Sequence, residues 1–237
     1  MFETVEELDP VRHGGLSLKP IRRYDFAHRL ASAPLGLSEV FKAARELPVV
    51  FPTRGRLLPV AQMAVRKDEN LLVDPDGQWR ISFVPAHIRR YPFILGGPDD
   101  ARTFAVMVDT AALSKDGEGE RLFVNNEIPK DGIVEHARAF LIDFEKELRR
   151  TERFFAPLEE HELLREKVYT IRQGEEQTGR VTGFRIVEKT RLLELDDKTL
   201  GSWAKSGLLE VIYAHLHSLE NWTKLTKRSV VEKEPES

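Results

Sequence analysis

Apolar residues recur with two different periods along this 237-residue chain, and the change of period separates a strand-rich part from a helix-rich part. Between residues 49 and about 124, short apolar runs alternate with turn formers, which is the pattern of β-strands. We therefore predict an antiparallel sheet region there. The predicted strands are Val49 to Phe51, Pro59 to Val65, Asn70 to Val73, Gln78 to Phe83, Tyr91 to Leu95 and Thr103 to Asp109.

The strongest turn signal in this region is Asp74-Pro75-Asp76-Gly77. Proline presets a negative φ at the second position of a turn, and glycine accepts a positive φ later in it. The segment therefore predicts a hairpin that joins Leu71 to Val73 with Trp79 to Ile81.

After Gly132 the apolar spacing changes to the 3.6-residue period of a helix. One face carries apolar residues and the opposite face carries charges. The apolar face is Ile133, Ala137, Phe140, Phe144 and Leu148, and the charged face is Glu135, Arg138, Glu145 and Arg149. This pattern predicts a long amphipathic helix over residues 131 to 156.

Shorter elements flank these two regions. Ser38 is predicted to cap a short helix that ends at Leu47, because a serine hydroxyl accepts an unpaired backbone N–H at a helix start. A second pair of strands is predicted at Lys167 to Arg172 and Thr182 to Val187.

Two helices are predicted near the C-terminus. Asp196 or Asp197 is expected to cap a short helix that ends before Gly207, and a last helix is expected over residues 207 to 226. A stripe along the last helix contains Leu208, Ile212, His215, Leu216, Leu219 and Trp222. His215 is thus expected to face the core and His217 the solvent, so the two histidines are not expected to share a metal ion.

These elements predict an α+β fold with a mixed, mainly antiparallel sheet packed against the long amphipathic helix and the C-terminal helix. Apolar residues make up 41% and charged residues 32% of the chain, which is typical of folded proteins. We expect one domain over residues 1–237, with a folded core from about 10 to 226 and a disordered tail from 229 to 237.

Charge and composition exclude several classes of function. The 36 Lys and Arg against 39 Asp and Glu leave a net charge of -3, so we expect no nucleic-acid partner. The absence of Cys excludes disulfides, thiolate metal sites and cysteine nucleophiles. The acidic N-terminus lacks an export signal, and no apolar run reaches the roughly 20 residues of a membrane span. A cytoplasmic location is expected, although export that does not use a signal peptide could still carry the chain to the cell surface.

Common catalytic templates are missing from the sequence. It contains no G-x-S-x-G, G-x-x-x-x-G-K-[ST], G-x-G-x-x-G or H-E-x-x-H string. The acidic pairs Asp99-Asp100, Glu159-Glu160 and Asp196-Asp197 are interpreted as solvated faces or helix caps. We therefore expect no cofactor and no metal, and we favour a protein that is not an enzyme.

The best candidate for ligand binding is Arg89-Arg90-Tyr91-Pro92-Phe93, because two guanidiniums beside aromatic rings can hold a carboxylate or phosphate. The alternative is that these arginines tie down a loop through backbone carbonyls or acidic neighbours. His13 and His215 are further candidates for the same ligand site, although a buried histidine satisfied by backbone groups is the more common case.

Five strings occur in the order found in one family: His13-Gly14-Gly15-Leu16 leading to Lys19-Pro20; Asn70-Leu71-Leu72-Val73-Asp74 with Gly77 and Trp79; Arg89-Arg90-Tyr91-Pro92-Phe93; Thr182-Gly183-Phe184-Arg185; and Ile212-Tyr213-Ala214-His215-Leu216 with Ser218-Leu219 and Trp222. On these strings, from about residue 10 to 226, the chain resembles the SapC family. His87 departs from the pattern, which has an aromatic such as Tyr there, so we do not expect His87 to bind a metal.

The resemblance implies a bacterial protein with a loose association with surface layers, and it supplies no catalytic residues. Two hypotheses follow. The first is a non-enzymatic accessory protein that acts on an unidentified protein partner in surface-layer or envelope biology. The second is a small-ligand or anion-binding protein, or an unrecognised enzyme, whose site gathers His13, Arg89, Arg90, Tyr91 and His215.

Overall fold

Antiparallel strands and helices alternate irregularly along the chain in the computed structural model, which describes residues 1–97, 105–173 and 176–231. The strands are β1 (Val5–Glu7), β2 (Ser17–Leu18), β3 (Ser32–Pro34), β4 (Val49–Pro52), β5 (Val60–Gln62), β6 (Phe93–Gly96), β7 (Ala105–Asp109), β8 (Leu113–Ser114), β9 (Glu120–Arg121), β10 (Leu164–Gln173) and β11 (Glu176–Val187). Residues 103 and 104 of the strand predicted at Thr103, and the acidic pair Asp99-Asp100, lie outside the described residues.

The helices are α1 (Pro10–His13), α2 (Val40–Ala44), α3 (Ala86–Arg89), α4 (Ile133–Glu160), α5 (Lys189–Leu193), α6 (Asp197–Ser206), α7 (Leu208–Ser218) and α8 (Asn221–Val231). Short 3₁₀ helices lie at Asp25–Ala27, Leu37–Glu39 and Thr110–Ala112. In the described residues, no helix combines the length and the apolarity needed to cross a membrane.

The strands that the structure describes form sheets with only antiparallel pairing. The largest has the order β10-β11-β4-β5-β3, and two smaller ones have the orders β1-β7-β6 and β8-β2-β9. In the largest, the long β10–β11 hairpin joins the other strands through the pairs Phe184 with Pro52 and Arg185 with Phe51. The predicted α+β class with antiparallel sheets is confirmed.

Helix α4 packs against both the large sheet and a small one. Near its C-terminus, Phe155 is buried and its ring lies edge-on to that of Phe51, with centroids 5.2 Å apart. Near its N-terminus, Val134 and Leu141 are buried in a second cluster that includes Phe93. Each of these buried side chains contributes roughly 1.5–3 kcal/mol by leaving water. The helix thus holds separate parts of the chain together.

The predicted position of helix α4 is close to the observed one, except at the C-terminal end. It continues to Glu160, past Pro157, whereas the predicted end was residue 156. A proline removes one backbone donor, and helical bonding resumes when the N–H of His161 donates to the Pro157 carbonyl at 3.0 Å.

The predicted cap at Ser38 is wrong. Residue 38 lies within a 3₁₀ turn that leads into α2. The backbone donors of this turn bind side chains of α4: the N–H of Leu37 donates to Thr151 Oγ1 at 2.8 Å, and the N–H of Ser38 donates to Glu147 Oε1 at 3.0 Å. Acceptors that are distant in sequence thus replace a local cap.

The turn predicted at Asp74–Gly77 is present, but the flanking hairpin is shorter than predicted. Pairing consists of one bridge between Val73 and Trp79, with the Gly77 N–H donating to the Asp74 carbonyl at 2.9 Å. The turn packs against the Arg23 side chain, and a Cβ at residue 77, where φ is +75°, would lie 2.8 Å from Arg23 Nε. The positive φ favours glycine at this position.

The single helix predicted over residues 207 to 226 is two helices. Helix α7 ends at Ser218 and α8 begins at Asn221. The Asn221 side chain donates to the carbonyls of Ala44 and Leu47 at 2.8 and 3.2 Å, which fixes the break against the end of α2. Helix α8 continues to Val231, so it includes Ser229; residues 232–237 of the predicted tail lie outside the described residues.

Candidate ligand-binding cleft

The segment from α3 into β6 is held by contacts on both sides. The buried carboxylate of Glu39 accepts the N–H of Ala86 at 2.8 Å, where α3 begins. Two residues after α3, the Tyr91 ring stacks on Phe26 with centroids 3.8 Å apart. Burial, and then the nearby carboxylate of Asp109, raise the pKa of Tyr91 to about 12. The phenol is thus a neutral, packed group at neutral pH.

Arg89 ties down the loop that precedes it. Its Nε donates to the Val84 carbonyl at 3.1 Å, and a terminal nitrogen lies 3.6 Å from the carboxylate of Glu39. Its guanidinium also lies over the ring of Phe140, 5.4 Å from the centroid. For this residue the observed contacts are those of a loop anchor.

Arg90 has a different environment. Among the side-chain atoms that the structure describes, Arg90 Nε is buried and has no hydrogen-bond partner. Its guanidinium lies 5.6 Å from the ring centroid of Phe2, and burial lowers its pKa. Leaving a buried charged donor unsatisfied costs roughly 1–3 kcal/mol or more, so the native state retains this cost at Arg90.

A cleft of about 500 Å³ opens beside these arginines, within the size range of small-molecule sites. Its walls come from four parts of the chain: the segment after β2, the segment from α3 to β6, the residues at the start of β9, and the first two turns of α4. The lining residues are Leu18, Lys19, Pro20, Ile21, Arg89, Arg90, Tyr91, Pro92, Phe93, Gly119, Glu120, Ile133, His136, Ala137 and Phe140. Most of this surface is apolar, and its charged lining residues are Lys19, Arg89, Arg90 and Glu120.

Two charged residues lie where β9 meets the start of α4. Glu120 Oε1 accepts the N–H of Ile133 at 2.7 Å and so caps the helix. Lys19 Nζ lies 3.5 Å from the carbonyl of Ala111. Gly119 has a φ of +94°, and a Cβ there would lie 1.8 Å from the Leu18 carbonyl oxygen, so only glycine permits this approach.

His215 lies away from the cleft, in the core between β4 and β11. Its Nδ1 is 2.7 Å from the Val49 carbonyl, and its Nε2 accepts the N–H of Val187 at 3.1 Å. This pattern requires a neutral ring with the proton on Nδ1. Burial lowers the pKa of His215 to about 4, which keeps the ring neutral at physiological pH. The predicted core position of His215 and the predicted exposure of His217 are confirmed.

The imidazole of His215 takes the place of a strand-to-strand hydrogen bond. The β11–β4 ladder pairs Phe184 with Pro52 and Arg185 with Phe51, and Val187 and Val49 lie two residues further along each strand. There the ring bridges the carbonyl of Val49 and the N–H of Val187. The adjacent Ser218 hydroxyl accepts the N–H of Val49 at 2.9 Å, so both backbone groups of Val49 are satisfied by α7.

His13 also lies outside the cleft. It is buried at the end of α1, where its Nδ1 accepts the N–H of Asp9 at 3.1 Å and its Nε2 lies 3.5 Å from a carboxylate oxygen of Glu6. The structure therefore brings Arg89, Arg90 and Tyr91 to one cleft and places His13 and His215 elsewhere.

The first two turns of α4 contribute cleft residues that the sequence pattern assigned to the core. Ile133, Ala137 and Phe140 lie on the predicted apolar face, but they are only partly buried and line the cleft, while Val134 and Leu141 enter the core. The apolar surface of α4 is wider than one core can cover, and this width is the sequence signal that could have indicated a cleft. His136, which is exposed at the cleft, gave no signal in the sequence.

His87 lies one turn from Arg90 and does not line the cleft. Burial, and then the charge of Arg90, lower the pKa of His87 to about 3. Within residues 1–97, 105–173 and 176–231, no three His, Asp or Glu side chains are grouped so that they could hold a metal ion.

Comparison with known proteins identifies the family of the chain. A search of curated proteins and a search of solved structures each returned no match. The sequence profile of the SapC family matches residues 8–225, which is most of the chain. Segments that carry the resemblance meet at the cleft, because Lys19-Pro20 and Arg89-Arg90-Tyr91-Pro92-Phe93 both line it. The chain belongs to the SapC family.

Proposed function

We propose that this protein binds a small organic anion in the cleft and that it acts by binding, without catalysing a reaction. The observation that carries the proposal is the buried, unpaired Nε of Arg90 beside an apolar cleft. Once the Arg90 side chain turns toward the cleft, a bound carboxylate or phosphate oxygen supplies the missing acceptor, and a guanidinium is suited to either group.

The neighbouring contacts support binding at a prepared site. Tyr91 is stacked on Phe26, and Arg89 is bonded to the Val84 carbonyl, so the segment that carries Arg90 is held in place before a ligand arrives. A rigid site loses little conformational entropy on binding. The apolar walls strengthen the interaction between the guanidinium and an anion, because apolar surroundings screen charges less than water does.

Isothermal titration calorimetry of the full chain with acetate, butyrate, benzoate and decanoate tests the proposal. At least one organic carboxylate is expected to bind, and Arg90→Met is expected to weaken that binding about ten-fold or more, because it removes a charge-assisted hydrogen bond. Arg191→Met is the control, because Arg191 lies on α5 and pairs with Glu162 away from the cleft, and it is expected to leave binding unchanged. Binding that is equally strong in Arg90→Met contradicts the proposal.

Membership of the SapC family favours a second, broader proposal. In it the protein is an accessory to the surface layer or envelope of a bacterium and acts on a protein partner from the cytoplasm or at the cell surface. Deleting its gene in the host and measuring the amount of surface-layer protein on the cells tests this role. An unchanged amount contradicts it and leaves the anion-binding proposal in place.

A further inference from the structure

The cleft is polarised along the first two turns of α4. Ile133 and Phe140 lie seven residues apart on this helix, a distance of about 10 Å at 1.5 Å per residue. The guanidinium of Arg89 lies over Phe140, so the positive charge gathers at that end. At the other end, the carboxylate of Glu120 accepts the N–H of Ile133. An anionic group is therefore favoured at the Phe140 end of the cleft, whereas at the Ile133 end the charges of Glu120 and Lys19 offset each other.

The surface between these ends is apolar and partly exposed to water. Ile133, Ala137 and Phe140 form one side, and Ile21, which is 42% exposed, lines the cleft with Leu18. Covering apolar surface is favourable by about 25 cal/mol per Å². A ligand that fits both features has one anionic end and an extended apolar body.

We infer, resting on the anion-binding function proposed above, that the ligand is an anionic amphiphile: a single anionic head group at Arg90 and an unbranched hydrocarbon chain directed along α4 toward Ile133. The guanidinium of Arg90, whose Nε has no partner in the folded chain, supplies the donors for the head group, and the Ile133, Ala137 and Phe140 face covers the chain. A second anionic group at the far end would lose its hydration among apolar side chains beside Glu120, which is unfavourable.

Calorimetry with three carboxylates tests the inferred class on the full chain, each below its micelle concentration. Decanoate is expected to bind at least ten-fold more tightly than butyrate, because each buried methylene adds up to about 0.8 kcal/mol. Decanoate is also expected to bind at least ten-fold more tightly than decanedioate, whose second carboxylate meets Glu120. A comparison of decyl phosphate with decanoate shows whether the head group is a phosphate or a carboxylate. If either of these two compounds binds more tightly than butyrate, the result supports an anionic amphiphile as the ligand.

The outcomes separate this inference from the proposed function. Equal binding of butyrate and decanoate, both weakened by Arg90→Met, overturns the amphiphile class and preserves the anion site. Decanoate binding that Arg90→Met leaves unchanged overturns both. Decanedioate binding as tightly as decanoate contradicts the assigned direction of the chain in the cleft.

A pair of variants on α4 locates the hydrocarbon chain. Ala137 lines the cleft, whereas Ala139, two residues away on the same helix, is exposed and does not line it. The Ala137→Trp side chain fills the part of the cleft beside α4. It is expected to weaken decanoate binding at least ten-fold, while the affinity for butyrate stays within three-fold of the wild-type value. Ala139→Trp is expected to leave both unchanged. Equal effects of the two variants on decanoate binding contradict the inferred position of the hydrocarbon chain. If Ala137→Trp fails to fold, the same test is made with Phe140→Ala, by comparing its affinities for decanoate and butyrate.

Discussion

His215 and Arg90 are both polar side chains in mainly apolar surroundings, but only in His215 do all the hydrogen-bonding atoms have partners. Both ring nitrogens of His215 are bonded to backbone groups of β4 and β11. The Nε of Arg90 is buried without a partner among the described residues. The comparison teaches that burial of a polar group does not by itself mark a functional site. At Arg90 the unmet hydrogen-bonding capacity lies beside a cleft, whereas both ring nitrogens of His215 have partners.

The largest expected effect comes from His215→Ala. The substitution leaves a cavity and removes the partners of the Val49 carbonyl and the Val187 N–H, so we expect the free energy of unfolding to fall by about 3 kcal/mol or more. Urea denaturation measures the change. His217→Ala, at an exposed position of the same helix, is the control and is expected to cost less than about 0.5 kcal/mol. Similar values for the two variants would show that His215 is not structural.

A somewhat smaller effect is expected from pH. The pKa of His215 is about 4 in the folded chain and 6.5 for an unperturbed histidine, which is the value expected in the unfolded chain. The unfolded chain therefore binds more protons than the folded chain between pH 4 and 6.5. Its contribution is therefore complete above pH 6.5 and is lost as the pH falls toward 4, by on the order of 2 kcal/mol. His87, whose pKa is about 3, acts in the same direction.

Urea denaturation of wild type and His215→Gln between pH 4.5 and 7 isolates the part due to His215. The wild type is expected to lose more stability on acidification than the variant, because Gln does not titrate. Carboxylates and His87 contribute equally to both proteins and cancel in the difference. Parallel pH profiles would contradict the assignment of a neutral His215 in the folded state.

The smallest expected effect, and the one whose sign matters most, concerns the two arginines. Arg90→Met removes a buried donor that lacks a partner, so stability is expected to stay within about 0.5 kcal/mol or to rise. Arg89→Met removes the bond to the Val84 carbonyl and is expected to cost about 0.5–1 kcal/mol. Urea denaturation without ligand measures both. A loss larger for Arg90→Met than for Arg89→Met would place Arg90 among the structural residues.

Periodicity predicted the elements whose pattern is local. Helix α4 lies close to its predicted position because it carries its own hydrophobic period over ten or more residues. The β10–β11 hairpin is longer than predicted, since β10 begins at Leu164 and β11 begins at Glu176. Features that depend on distant residues were missed. The turn before α2 takes its acceptors from Thr151 and Glu147, more than 100 positions away, and no local pattern at Ser38 shows this.

The candidate site could be predicted only in part for a related reason. A double arginine beside aromatics gave a sufficient signal for Arg89, Arg90 and Tyr91. The sequence period also placed Ile133, Ala137 and Phe140 on one face of α4, but it does not show whether a face meets the core or a cleft. Only the packing of β2 and β9 near the start of α4 leaves that face open. Likewise, the sequence pattern does not distinguish Arg89 from Arg90, whereas their contacts in the structure differ.

The imidazole bridge between Val49 and Val187 also constrains the order in which the chain can assemble. The bridging residue is 166 positions from Val49 and lies in the last quarter of the chain. A polypeptide still being synthesised, with α7 not yet available, can form β4 and β11 but cannot complete the connection between them. Contacts of such long range close late and slow the folding of a domain. A chain truncated before residue 207 therefore lacks the side chain that bridges Val49 and Val187 in its largest sheet.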